Sequence, residues 1–176
     1  MASKGRLAII GVALILLGGL LAHFTQTTSG IRIEDVRFKG AKGNTMSALV
    51  YITEKSPAPG ILAVHGYIDS RETQDGFAIE FARRGYVVVA LDQTGHGYSD
   101  PPAIANGFGG PDGLNYLRSL PYIDKDNIGL EGHSMGGWTV LAAATAMPDA
   151  YGCGNGNSGC LVSARRTRGS RKASAV

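Results

Sequence analysis

Apolar and polar side chains alternate from Ile31 to Phe38 and again from Met46 to Thr53, with the turn-forming stretch Gly40 to Asn44 between them. That period of two predicts an antiparallel hairpin opening a sheet. Lys55 to Pro59 interrupts the pattern, and Ile61 to Val64 then reads as a short buried strand. Between Ser70 and Gly85 the spacing turns helical. Ser70 is placed to cap and Glu72 lies in the first turn; Phe77, Ile79, Phe81 and Ala82 supply an apolar face, and Gly85 ends the helix. Tyr86 to Leu91, YVVVAL, has no alternation at all, as expected of a parallel strand covered on both faces. Gly109 to Leu120 predicts a further helix, with Asp112 early and Leu114, Leu117 and Leu120 three apart. Pro121 to Asn127 leads into a short strand marked by Ile128 and Leu130, a sharp turn from Gly132 to Gly136, and an apolar helix running to Met147. The class is therefore α/β.

Two segments stand outside this alternation. Leu7 to Ala22 is apolar and uncharged, preceded by Lys4 and Arg6 and followed by His23 and Phe24. About 20 such residues are needed to span hydrocarbon. Residues 1–24 are read as an uncleaved membrane anchor in preference to a cleaved signal, because Leu20, Leu21 and Ala22 make a poor small-residue cleavage site. The positive N-terminal flank places the N-terminus inside and the domain outside the membrane, with secretion as the alternative location. Residues 25–30 form a polar linker to a domain over 31–150. Residues 151–176 are the second segment. Five of the chain's 17 basic residues lie there (Arg165, Arg166, Arg168, Arg171 and Lys172), together with both cysteines, Cys153 and Cys160, and none of the 14 acids. The net charge of +3 is thus a property of the tail alone, and the mildly acidic body gives no support for nucleic-acid binding. The cysteines show no metal or redox spacing. The abrupt change of composition at Ala150 favours translation out of frame from near Tyr151 over a solvated basic tail.

The chemistry gathers at Gly132-His133-Ser134-Met135-Gly136. In a strand-turn-helix setting, G-x-S-x-G is the nucleophile elbow. The turn forces Ser134 into a strained conformation, while strand and helix pass so closely that only hydrogen fits at positions 132 and 136. The serine hydroxyl is left exposed. Met135, as the first residue of the helix, offers a free N–H and the positive end of the helix dipole to a developing oxyanion. A bare G-x-S-x-G arises by chance in a glycine-rich chain; the strand before it and the helix after it set this one apart. The loop Asp92 to Asp100 is also glycine-rich, but has neither the lysine and spacing of a P-loop nor G-x-G-x-x-G. It is read as a structural turn in which Asp92 and His96 bond to backbone.

Three motifs taken together, VHGY (Val64 to Tyr67), LDQTGHGYSD (Leu91 to Asp100) and GHSMGG (Gly132 to Gly137), resemble those of the alpha/beta hydrolases, closest in style to the esterase, lipase, dienelactone-hydrolase and acyl-peptidase branches. The likeness covers roughly Ile31 to Asp149. It implies a mostly parallel sheet, eight-stranded when whole, with an antiparallel start. It further implies a nucleophilic serine that hydrolyses a small-molecule ester, thioester or amide through an acyl-enzyme, with no metal or organic cofactor. By the same resemblance the residue after His65-Gly66, Tyr67, lends its backbone N–H as the second oxyanion donor, and His65 fixes the loop rather than taking a proton. His133 has no catalytic place in that scheme.

The departure from the family is as informative. Its triad runs serine, acid, histidine along the chain. All four histidines here, His23, His65, His96 and His133, precede Ser134, and the only acid after it is Asp149. No triad acid or base is found. The expectation is a membrane-anchored serine hydrolase by descent, shortened after the elbow helix and inactive as it stands. The alternative is a non-catalytic pseudo-hydrolase or gene fragment acting as a binding module. A sheet ending at Ile128 to Glu131 would leave an unpaired strand edge. Oligomeric state and substrate identity are not legible.

Overall fold

The computed structural model describes residues 3–25, 30–101, 104–147 and 162–163. The apolar N-terminal run is one helix, α1 (Ser3–Thr25), and its stretch Lys4–Phe24 is long and apolar enough to cross a membrane, although a signal sequence passes the same test. None of that stretch is buried against the domain.

The alternating segments form the expected hairpin, β1 (Arg32–Lys39) and β2 (Thr45–Ile52), antiparallel from Arg32 opposite Ile52 to Lys39 opposite Thr45. β1 buries one face, and the residue before it packs on the opposite side of the sheet. Val36 and Phe38 pack into the core on one side of the sheet, and Ile31 just before the strand packs on the other. The apolar pattern of the sequence changes phase between Ile33, which is exposed, and Val36, while the strand itself alternates and pairs without a break. β3 (Ala58–Val64) starts earlier than the sequence suggests and contains Pro59, placed beside an irregularity where the register to the neighbouring strand jumps. YVVVAL becomes β4 (Val87–Asp92), buried at every position, and the elbow strand is β5 (Ile123–Gly132). β6 (Val162–Ser163) is two residues long.

The strand order is β1-β2-β4-β3-β5-β6. β2 meets β4 antiparallel, whereas β3 lies parallel to both β4 and β5. The sheet is thus antiparallel where it begins and parallel through its centre, with short polar-ended segments feeding helices to both faces. α3 (Gly110–Ser119) and α4 (Met135–Ala146) cover one face, over a core that includes Leu62, Val64, Leu91, Leu114, Leu117, Leu130 and Val140. α2 (Asp75–Arg83) covers the other, over Tyr51, Ile61, Ala63, Val88 and Ala90.

Three local expectations need correction. The helix after Ser70 opens as a single 3-10 turn over Arg71–Gln74, and the Ser70 hydroxyl donates to Glu72 Oε2 (2.6 Å) rather than capping the turn. Phe77 is exposed; Ala78 and Ala82, four apart, are the residues of α2 that are fully buried, because small side chains let the helix sit close on the sheet. The expected unpaired edge at β5 is partly filled, since Leu130 and Gly129 face Val162 and Ser163 in antiparallel register. Residues 26–29 of the linker, Asp149 and, apart from Val162 and Ser163, the segment after Met147 lie outside the described residues.

Candidate active site

β3, β4 and β5 run in the same direction, and Val64 is in register with both Leu91 and Gly132. The three strands therefore end together, and His65 to Ser70, Gln93 to Asp100 and His133-Ser134 leave the sheet along one edge. The carboxyl ends of parallel strands are where open α/β sheets place their ligands.

At that edge the elbow has the geometry its sequence requires. Ser134 takes φ 52° and ψ −114°, is exposed, and immediately precedes α4. Held in this unfavourable backbone region, the residue costs the fold of order 1–3 kcal/mol, which surrounding structure must offset. The glycines show how. A Cβ on Gly132 would lie 2.7 Å from Gly137 N and closer still to Gly136 O; one on Gly136 would lie 2.6 Å from His65 O and closer still to Val64 O. Strand, loop and helix meet backbone to backbone, as expected of positions 132 and 136. The amides of Gly136 and Gly137 turn back onto the carbonyls of His133 and Ser134, at 2.8 and 2.9 Å. Among the described residues the Met135 and Tyr67 amides donate to no protein acceptor, the state an oxyanion donor requires.

The loop after β3 touches the elbow directly. A Cβ on Gly66 would stand 3.2 Å from His133 Cδ2, 3.3 Å from Asp69 Oδ2 and 3.6 Å from Ser134 Cβ. The structure therefore brings together Ser134, His133, Asp69 and the peptide of Gly66-Tyr67.

His65 is fully buried, and both ring nitrogens are engaged. Nδ1 donates to Gly66 O (2.7 Å), and Nε2 accepts from the Gln93 amide (3.1 Å). Burial pushes its pKa below the ordinary histidine value, so the neutral ring is the resting form. It braces the loop. His96 places Nδ1 at 3.2 Å from Thr94 O, and Asp92, wholly buried, accepts from the Arg71 amide (2.9 Å) and the Tyr98 amide (3.1 Å). Both are backbone organisers, as read from the sequence. Among the described residues no side chain hydrogen-bonds the Ser134 hydroxyl, and no imidazole is joined to it.

Three contributors were missed. Gln93 links two of the site's loops to helix α4: its amide nitrogen donates to His65 O (2.7 Å), its carbonyl oxygen accepts from the Thr139 hydroxyl of α4, and its backbone holds His65. Arg71 is buried, with Nη1 and Nη2 on the two oxygens of Asp35 at 2.8 and 2.9 Å, and Nη1 also donates to Ser47 Oγ (2.7 Å). Glu131, two residues before the elbow histidine, is buried beside Ala63 with Oε2 unpaired, and burial raises its pKa to about 7. The only signal for Gln93 was its place just past a strand end; the other two depend on partners distant in sequence or on burial itself.

The family model for serine aminopeptidase, S33, matches residues 55–155, more than half of the chain. The protein belongs to that family. Among its relatives is an uncharacterized protein of Mycobacterium tuberculosis, 34% identical over 97 residues, an alignment covering 51% of this chain and 26% of the relative. A serine hydrolase-like protein of Dictyostelium discoideum is 30% identical over 95 residues, covering 53% of this chain and 26% of the relative. Acetyl xylan esterase 1 from Thermoanaerobacterium superposes with a TM-score of 0.59 at 20% identity, over 68% of this chain and 46% of the esterase. The fold is that of the alpha/beta hydrolases. The S33-family chain spans about a quarter of the length of the curated relatives it matches, 26% in each case.

Proposed function

We propose that this S33-family chain carries the nucleophilic half of a serine hydrolase acting on a small-molecule ester, thioester or amide, held at a membrane by its apolar N-terminal helix with the domain on the extracytoplasmic side. Ser134 Oγ attacks the substrate carbonyl carbon, the carbonyl oxygen takes up negative charge facing the Met135 and Tyr67 amides, and collapse expels the alcohol, thiol or amine, which departs carrying the proton given up by the serine hydroxyl. Water then cleaves the acyl-serine bond and regenerates the hydroxyl. The observation that carries this reading is the exposed Ser134 at φ 52°, poised between β5 and α4 with the Met135 amide unengaged. The kinship to a serine hydrolase-like protein supports it.

With none of the chain's four histidines bonded to Ser134, turnover by this polypeptide is close to background: in a well-studied serine protease the triad is worth about a millionfold, the oxyanion hole and binding keeping roughly a thousandfold or more over water. That same lack of an imidazole favours a second reading, a pseudo-hydrolase that binds a ligand at the elbow without cleaving it. A fluorophosphonate probe separates the two. Labelling of the folded chain that disappears in Ser134→Ala identifies a reactive serine; a folded chain that never labels leaves binding alone. Activity restored by adding a separate polypeptide that supplies the remaining strands, acid and histidine would show that the site is completed in trans.

A further inference from the structure

Two residues beyond Gly66, the loop after β3 breaks two rules at once. Ile68 has φ 61°. A β-branched side chain in the left-handed region crowds its own backbone, and such residues are genuine outliers. A residue forced into strain normally repays the fold by burying its side chain, yet Ile68 is 85% exposed among the described residues. Asparagine or glycine would suit this backbone better, and any polar residue would suit the solvent better. Among the described residues neither hydrophobic core includes this isoleucine. Its neighbour Tyr67 is 67% exposed, with its ring edge-on to that of His96 at 6.0 Å. Both sit on the loop whose Gly66 peptide abuts Ser134.

Resting on the reading of Ser134 as nucleophile, we propose that Ile68, flanked by Tyr67, is the specificity-determining wall of the site, contacting an apolar acyl group of several carbons beside the reacting carbonyl. The Tyr67 amide positions the carbonyl oxygen, so the next residue along the loop borders what that carbonyl carries. The substrate class is then an ester or amide of a medium-length aliphatic acid rather than an acetate.

The test compares N-phenylhexanamide with N-phenylacetamide by saturation-transfer NMR on the full chain in lipid nanodiscs, with empty nanodiscs as the blank. The parent chain binds the hexanamide roughly tenfold more tightly, the gain from burying about two methylene groups. Ile68→Asn erases that preference, Ile68→Leu retains it, and the thermal midpoint of Ile68→Asn does not fall below the parent's. Equal binding of the two amides by the parent, an undiminished preference in Ile68→Asn, or a lowered midpoint revealing Ile68 as a packing residue would each overturn the proposal. Fluorophosphonate labelling reports separately on the nucleophile. A chain that prefers the hexanamide but never labels retains the wall and refutes the nucleophile; one that labels without the preference does the reverse.

Discussion

Gly136 and Gly137 are adjacent in the sequence and should respond oppositely to the same change. A methyl group on Gly136 would sit 2.6 Å from His65 O and 2.8 Å from the Val64 carbonyl carbon, and closer again to Val64 O. Carbon-oxygen approaches in proteins stop at about 3.3 Å. The shortfall is therefore about 0.7 Å against the most forgiving of the oxygen neighbours, and all of these are backbone atoms of a strand end that is paired on both sides. The helix must back away by something near 1 Å. Overpacking of this kind costs about 1–3 kcal/mol, and here the upper end applies because no side-chain rotamer can absorb the clash. The same displacement carries Ser134 and the Met135 amide away from the Gly66-Tyr67 loop, and a 1 Å misplacement is worth about a hundredfold in a reacting geometry. A methyl on Gly137 meets nothing nearer than Gly132 O at 3.7 Å, an ordinary contact. There the only consequence is loss of glycine's backbone freedom within α4, a gain of about 0.5–1 kcal/mol. Urea denaturation of Gly136→Ala and Gly137→Ala, with the rate of fluorophosphonate labelling measured on each, checks both halves. Unfolding midpoints that move in the same direction, or an unchanged labelling rate in Gly136→Ala, would refute the reasoning.

Glu131 makes the domain's stability fall as pH rises. Its carboxyl has a raised pKa of about 7 in the folded chain against an ordinary value of 4.5, so the folded state holds a proton that the unfolded state has released across that window. Its contribution is complete below pH 4.5 and lost by the time pH passes 7, a loss of about 3 kcal/mol. At 7% exposure little solvent screening softens it, and Glu131→Gln should flatten the stability profile over that range. Asp35, held below the usual carboxylate range by its hydrogen bonds to Arg71, works in the opposite sense and only in more acid solution, so the two effects are separable. Replacing Arg71, whose side chain is 3% exposed, by methionine strips the guanidinium from Asp35 and from the buried Asp92 carboxylate at 3.6 Å. The expected cost is about 3–5 kcal/mol in urea denaturation, and a variant within 1 kcal/mol of the parent, about the worth of a surface ion pair, would show the cluster to be ornamental.

What could be seen in the sequence is what depends on near neighbours. The hairpin followed from alternation over eight-residue stretches, β4 from an unbroken apolar run, and the elbow from five residues whose order leaves a chain few other ways to turn. Even the roles of Asp92 and His96 were legible, because a polar side chain in a glycine-rich loop has its own backbone as the nearest partner. What stayed hidden depends on distance along the chain. Arg71 carries no signal of its own in the sequence; its partners Asp35 and Ser47 precede it by 36 and 24 residues, and only the sheet brings them together. Gln93 reaches 46 residues ahead to Thr139. Glu131 is polar in a strand where alternation says nothing, since both faces of β5 are covered at that level.

Strand polarity connects these pieces. β1 is antiparallel to β2, and β2 to β4, so β1 runs in the same direction as β3, β4 and β5. Arg32, where the chain enters from the apolar helix, is level through the register with the first residues of β4, whereas Ser134 lies past the last residues of β5. At about 3.3 Å per residue, six residues of strand put roughly 20 Å between the two along the strand direction, and four inter-strand steps of about 4.8 Å add a similar distance across the sheet. The entry point, on the edge strand β1, and the elbow, just past β5, thus lie four strands apart and at opposite ends of the strands of one hydrogen-bonded sheet. The backbone strain at Ser134 is balanced locally, by the Gly132–Gly136 and Gly136–Val64 approaches and by the His65-Gln93-Thr139 bonds, none of which involves β1. Arg71 ties the two regions, because the guanidinium that holds Asp35 of β1 lies against the same Asp92 carboxylate that receives the Arg71 and Tyr98 amides. A disturbance at the entry strand can therefore reach the loops around the serine through that buried arginine, and also through Arg37 of β1, whose guanidinium lies over the Tyr98 ring at 4.9 Å and donates to Tyr98 O (3.5 Å).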